Sequence, residues 1–390
     1  MIYLDYNATT PLCKPALSAM LPLLERHYGN PSSVHAAGRE ARAAVDDARD
    51  RLANLLCVQP HELIFTSGGT EANNLAILGL ARANRERGRH LICASTEHHA
   101  VLNAFEHLGR REGFEVTFLP TNERGRIDPD ELKHLIRDET ILVSIMSANN
   151  ETGVLQPIEE LAQICNDGGV LFHSDMVQSF GKLETRLNQA GLAAASFAAH
   201  KFHGPKGAGL LYLRAGLPIE GIQFGGAHEN QRRPGTENVA AIAGMAAAAE
   251  WILNGRVGEQ DRQRLLRDRL WNQISSFQRA RQNGDAIHRL ANTLNVSFDG
   301  LSSETILMAL DLEGICASSG SACMVGSVVA SHVLLAMGLP EALASSAIRF
   351  SLGHENTEAE IDQAGEVITR VINRIDSAKS REKIEAYAVA

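Results

Sequence analysis

Lys201 sits in the run SFAAHKFHGPKG, directly after an apolar stretch that reads as a buried strand. A lysine forms a Schiff base with a carbonyl only when burial or nearby cations push its ammonium toward the neutral amine. His200 and His203 flank it, and Gly204 and Pro205 follow, an unusual setting for a surface lysine. A solvated loop lysine is the plainer alternative, and position alone leaves Lys206 as a rival. Asp175 ends the run LFHSD, 26 residues before Lys201. A carboxylate there can keep a pyridine nitrogen protonated, which turns the ring into an electron sink. It can equally be a helix N-cap. Residues 65–74, FTSGGTEANN, read as strand, glycine-rich turn and helix. Backbone N–H groups at such a helix start bind anions, and the Thr70 hydroxyl can add a donor. The run fits neither GxxxxGK[ST] nor GxGxxG, so it is not one of the nucleotide loops. His98, in STEHHAV, can stack on an aromatic ring or carry a proton near neutral pH. Its neighbour His99 falls on another helix face, so the two do not form a metal-ligand pair.

Each of these signals has an ordinary alternative. In chain order, however, an anion-binding turn, a ring-facing histidine, a strand-end aspartate and a lysine make one coherent site for pyridoxal 5'-phosphate. A second constellation concerns sulfur. Cys323 lies in SSGSACMVGSVVASH, a Gly- and Ser-rich stretch between a strand-like run and the helical SHVLLAMG. That composition suits an arm better than a packed core, and an accessible thiolate is a nucleophile. Cys165, among larger apolar residues in LAQICN, reads instead as packing. Arg349, in AIRFSLG, is a candidate bidentate clamp for a substrate carboxylate, with a surface ion pair as the alternative.

The elements that must position these residues follow from the hydropathy pattern. Strand-like runs occur at 62–68, 90–95, 115–120, 140–146, 169–175, 194–199 and 207–214, with helical patterns between several of them. Such alternation implies a largely parallel sheet covered on both faces. Ligands of such sheets sit beyond the carboxyl ends of the strands, where the chemically loaded residues fall here. A long Ala-rich, then Arg-rich helical stretch is expected at 240–282, followed by short strands, further helices and an amphipathic C-terminal helix. The expected architecture is α/β. A large cofactor-binding domain, 15–258, holds a mainly parallel seven-stranded sheet. A small α/β domain, 1–14 and 259–390, carries the Cys323 loop.

At 390 residues the chain exceeds one compact core. Hydrophobic residues make up 44% and charged residues 21%, ordinary values for a soluble globular protein. A net charge of -9 argues against direct nucleic-acid binding, and the basic run from Arg262 to Arg269 is expected to be a solvated helix face. No run approaches the ~20 apolar residues that cross a bilayer. The start, MIYLDYNATTP, has no pattern of a secretion signal. Six cysteines with no CxxC pair suggest neither zinc nor a disulfide framework, so no metal is expected and a reducing cytoplasm fits.

The motifs TSGGTEANNLAI, TEHHAVL, NNETGVLQPI, HSDMVQSFGK, AHKFHGPKG, RRPGTENV and SSGSAC together resemble cysteine desulfurases of the NifS/IscS group, over nearly the whole chain. These belong to the class-V aminotransferase family with the type I fold of pyridoxal-phosphate enzymes. The resemblance implies that Lys201 holds the cofactor covalently, Asp175 pairs with its ring nitrogen, and Gln178 bonds near its ring hydroxyl under a stacked His98. Thr70, the Gly69 backbone and His200 would hold phosphate. Thr236 would reach the phosphate of the other subunit of a homodimer with shared sites. Asn150 and Arg349 would hold L-cysteine, with Asn150 also beside the cofactor. Cys323 would take the sulfur as a persulfide and release L-alanine, passing sulfur to an acceptor protein for iron–sulfur clusters or thio-modification. Lys201 and His98 would handle protons.

Two departures from the group stand out. A serine usual two residues before the His-Lys pair is Ala198 here, which predicts weaker cofactor retention. After the cysteine, Met324 and Val328-Val329-Ala330 replace the Thr or Ser and the Leu-Glu-Pro of the group, at kept spacing. The alternatives are a selenocysteine lyase or another pyridoxal-phosphate lyase and, from a different class, a non-catalytic protein that docks a sulfur-handling partner.

Overall fold

The computed structural model describes residues 1–187, 190–320 and 330–389, the stretch from 380 as backbone only. The strands are β1 (Ile2–Tyr3), β2 (Leu63–Thr66), β3 (His90–Ala94), β4 (Glu115–Leu119), β5 (Thr140–Ser144) and β6 (Leu171–Asp175), then β7 (Ala194–Ala198), β8 (Gly209–Leu213), β9 (Ala280–Gln282), β10 (Thr293–Phe298), β11 (Ile315–Cys316) and β12 (Ala347–Ser351). The helices are α1 (Lys14–Glu25), α2 (Ala36–Leu56), α3 (Gly69–Ala83), α4 (His99–Glu112), α5 (Pro129–Leu135) and α6 (Ile158–Asp167), then α7 (Val239–Ile274), α8 (Ser303–Leu312), α9 (His332–Ala336), α10 (Glu341–Ala344) and α11 (Glu358–Val389).

All seven strand runs expected between residues 62 and 214 form one sheet, in the order β2-β8-β7-β6-β5-β3-β4. Only β8 runs against its neighbours. Alternate residues along a strand pack on opposite faces. Leu63 and Phe65 join one apolar cluster with Ala16, Val45, Leu161 and Ile242, from α1, α2, α6 and α7. Ile64 turns to the other, with Leu75 of α3 and Val101 and Phe105 of α4. Burial on both faces explains the near-continuous hydrophobic runs.

A separate core forms around the antiparallel sheet β12-β10-β9 and the parallel pair β1-β11. Ile2 and Leu4 join Leu266, Leu270, Val296, Phe350 and Ile368 there. Helix α7 serves both cores and breaks at Val257 (ψ 124°) and Gly258 (φ 86°). Ala241, Ala246, Ala248 and Ala249 join the first core, and Leu266 and Leu270 the second.

Two expectations need correction. The helix stops at Ile274, because residues 280–282 pair with β10 as an edge strand. The basic run of α7 is not wholly solvated: Arg267 is buried, donating to the Leu290 carbonyl at 3.2 Å and pairing with Asp268 at 2.6 Å. Its guanidinium closes the helix against the β9–β10 connection.

Candidate active site

The loops that follow β2, β3, β5, β6 and β7 meet around a cavity of about 420 Å³. That lies within the usual size of a small-molecule site. Gly69, Thr70, His98, Asn150, Asp175, Gln178, His200, Lys201 and Arg349 all line it. Thr236 does not, and Cys323 lies outside the described residues. Gly320, three residues before Cys323, forms part of the wall.

The cavity floor depends on close backbone approach. A Cβ on Gly209 would stand 2.5 Å from the Gly68 backbone, so β8 can lie under the turn only as glycine. A Cβ on Gly69 would meet Val177 Cγ2 at 2.8 Å. The turn therefore delivers the start of α3 to the cavity, where the first N–H groups of a helix have no intrahelical partner. Ala198 is buried beside that start, its Cβ 3.4 Å from where a Gly69 Cβ would lie.

Asp175 ends β6, and its carboxylate accepts from Asn73 Nδ2 at 2.6 Å and from the Val177 N–H at 2.9 Å. The second bond is the local turn that strand-end aspartates favour. The first is tertiary and comes from the second turn of α3. Between them they aim the carboxylate. His98 caps α4, its Nδ1 accepting from the Ala100 N–H at 3.1 Å, which leaves Nε2 to carry the proton. Burial holds its pKa below that of ordinary imidazole; Asp175 opposes this, and Lys201 and His332 add to it. A neutral ring suits stacking.

Lys201 Nζ donates to the carbonyls of Asn7 at 2.7 Å and Ala8 at 2.8 Å. Lys206 is exposed and lies away from the cavity, so the tertiary fold distinguishes the two lysines. His200 bonds Thr9 Oγ1 at 3.2 Å, and burial, with Lys201 and Lys206 nearby, pushes its pKa down to about 4. Arg349, on β12, is buried; it pairs with Asp5 at 2.7 Å and donates to the Asn150 carbonyl at 3.0 Å. Among the described residues its buried Nε has no hydrogen-bond partner. A buried donor left unmatched is costly, and an incoming carboxylate would satisfy it.

An amine, a directed carboxylate, an open helix start and a neutral imidazole around one cavity fit pyridoxal 5'-phosphate. Among the described residues no cluster of His, Cys, Asp or Glu is arranged to hold a metal.

Sequence reasoning missed several polar partners. Asn73 lies inside the glycine-rich motif, one turn beyond Gly69, and Asn7 lies inside DYNATTP. Lys182, seven residues after Asp175, donates to Asn7 Oδ1 and Gln178 Oε1 at 2.9 Å each. Burial, with Lys201 and Arg349 nearby, pushes its pKa down to about 7. Glu97 is fully buried, and desolvation with Asp175 nearby raises its pKa well above the carboxylate range. All of these lie within conspicuous motifs, but only three-dimensional contact assigns their partners.

The chain matches the family described as Aminotransferase class-V over residues 2–364. It is 44% identical over 375 residues to a protein of Dictyoglomus turgidum named cysteine desulfurase IscS, covering 96% of this chain and 95% of that one. A Methanosarcina thermophila protein of the same name is 42% identical, over 96% of this chain and 92% of its own. The solved structure of a NifS-like protein superposes with a TM-score of 0.90 at 37% identity, over 95% of this chain and 99% of that one.

Proposed function

This chain belongs to the aminotransferase class-V family, and from that premise we propose that it is a pyridoxal-phosphate-dependent cysteine desulfurase. The observation that carries the reading is the convergence of Lys201, Asp175 and the start of α3 on one cavity whose wall begins the SSGSAC run.

When bound, pyridoxal phosphate supplies an electron sink that loosens bonds around the substrate's α-carbon. The chain does the rest. Lys201 would hold the cofactor, and its amine would move a proton at the substrate's α-carbon. Asp175, kept in place by Asn73, would hold the proton of the cofactor's ring nitrogen. His98 would stack on the cofactor, and Gly69, Thr70 and His200 would hold its phosphate. Arg349 and Asn150 take the substrate carboxylate and its surroundings. Cys323 Sγ then attacks the sulfur of L-cysteine. The new S–S bond forms as the Cβ–S bond breaks; the electron pair stays on carbon, which takes a proton and leaves as alanine. Cys323 keeps the persulfide for an acceptor protein of iron–sulfur assembly or thio-modification.

A homodimer in a reducing cytoplasm completes the proposal. Tyr28, Val34 and Phe224 are 81%, 89% and 96% exposed, as apolar groups awaiting a partner chain would be. Ser32 Oγ lies 3.1 Å from His228 Nε2, which ties that patch to the segment carrying the exposed Thr236. A second copy over the patch would bring Thr236 to the partner's phosphate site. Free thiols at Cys13, Cys57, Cys93, Cys165 and Cys316 suit the compartment. No described helix is long and apolar enough to cross a membrane. The division into 15–258 and 1–14 with 259–390 is likewise proposed, supported by the separate apolar cores and the break at Gly258.

The deciding test is Cys323→Ser given L-cysteine. Alanine release should fall to background while the yellow absorbance of lysine-bound cofactor persists. Alanine release at the wild-type rate would remove Cys323 from the mechanism.

A further inference from the structure

We propose that Lys182 is a positioning residue of the cofactor site: its amine sets the direction of the Asn7 and Gln178 amides, and so fixes the Gln178 Nε2 that bonds the Asn7 main-chain carbonyl, the same carbonyl that meets Lys201. The proposal rests on the reading of the cavity as a pyridoxal-phosphate site.

An amine, charged or neutral, keeps hydrogens to donate, whereas an amide has one accepting and one donating end. Lys182 Nζ donates to Gln178 Oε1 and to Asn7 Oδ1, each at 2.9 Å. With Oε1 taken, Gln178 must turn its NH2 the other way, where Nε2 donates to the Asn7 carbonyl at 2.9 Å beside the cavity. Asn7 Oδ1 also accepts from Asn292 Nδ2 at 3.1 Å. Its own Nδ2 is thereby directed to Thr293 Oγ1 at 2.9 Å and to the Asn150 carbonyl at 3.3 Å. The Asn7 carbonyl, held by this arrangement, accepts from Lys201 Nζ at 2.7 Å.

Reversing either amide sets donor against donor. Asn7 and Gln178 are 1% and 4% exposed, so solvent does not relieve the mismatch. An ion pair does not account for Lys182, which among the described residues has no carboxylate within bridging distance. The charged groups facing it are Lys201 and Arg349, with His203 after β7 and Arg256 and Glu259 of α7 lining the same small void. Lys182 retains some surface, yet its amine is enclosed by protein.

Lys182→Met keeps most of the stem and removes the donor. In the holoenzyme we expect a displaced absorbance–pH profile of the lysine-bound cofactor, and a cofactor dissociation constant weaker by about tenfold, the cost of one misdirected buried hydrogen bond. A kcat loss exceeding any change in KM should accompany them. Wild-type values for both profile and constant would overturn the proposal. Should Lys182→Met fail to fold, Gln178→Glu decides, because it keeps an acceptor for Lys182 and lacks the N–H donor. The same displaced profile supports the proposal, and an unchanged one overturns it. A wild-type protein that takes up no pyridoxal phosphate would sink the cofactor reading together with this one. Normal wild-type uptake with an unaltered Lys182→Met would sink this one alone.

Discussion

Single side chains here are tuned by burial more than by opposite charges. Burial is the largest influence on His98, His200 and Glu97: it lowers the pKa of the two histidines and raises that of Glu97. Ala198 shows the same logic by omission. It sits against the start of α3, where a hydroxyl would add a donor to an anion. One neutral hydrogen bond contributes about 0.5–1.5 kcal/mol, so Ala198→Ser should tighten pyridoxal-phosphate binding about two- to tenfold. Titration of the apoprotein with cofactor checks this. Weaker binding in the serine variant would mean that the phosphate is held elsewhere. The resemblance to the family marks residue 198 as a serine position; only the fold places Ala198 beside the start of α3.

At the scale of elements, the centre of the large sheet carries a polar ladder among its apolar residues. Ser144 of β5 and Ser196 of β7 hold the two ring nitrogens of His173, on β6, at 2.8 and 3.0 Å. His173 is fully buried, and desolvation pushes its pKa down to about 3. The unfolded chain, with an ordinary histidine pKa near 6.5, binds this proton more readily than the fold does between those two values. Stability is therefore full above about pH 6.5 and falls as the pH drops toward 3. His173→Gln keeps hydrogen bonding without titrating. Between pH 6 and 4 its stability should fall less steeply than the wild type's, by up to about 1.4 kcal/mol per pH unit, in urea unfolding. Parallel slopes for the two proteins would show that the imidazole is not held neutral.

The whole molecule joins two cores through α7 and, on this reading, two chains through the patch near Thr236. Glu237 is buried against Arg42 at 2.7 Å, and Asn238 caps α7, so Thr236 is held outward by both neighbours. Val34→Glu with Phe224→Glu should put charge into a buried contact and yield monomers in sedimentation analysis. Desulfuration should fall at least about tenfold with the loss of the shared phosphate contact. A charged double variant that stays dimeric would place the interface elsewhere. The cost of burying unpaired carboxylates makes the outcome decisive.

The chain by itself determined the order of strands and helices between residues 62 and 214, and most of the cavity residues. Period and turn chemistry are local, and each motif ends a strand whose carboxyl end faces the ligand. Tertiary structure decided the rest. It distinguished Lys201 from Lys206, gave Arg349 its bond to Asp5, and joined Asn73 to Asp175 across 102 positions. It turned residues 280–282 from helix to edge strand, because β10 offered a partner that no local propensity foretells. Burial and hydrogen-bond polarity are properties of surroundings assembled from distant segments, and for that reason the role of Lys182 emerges only once Asn7 and Gln178 meet it.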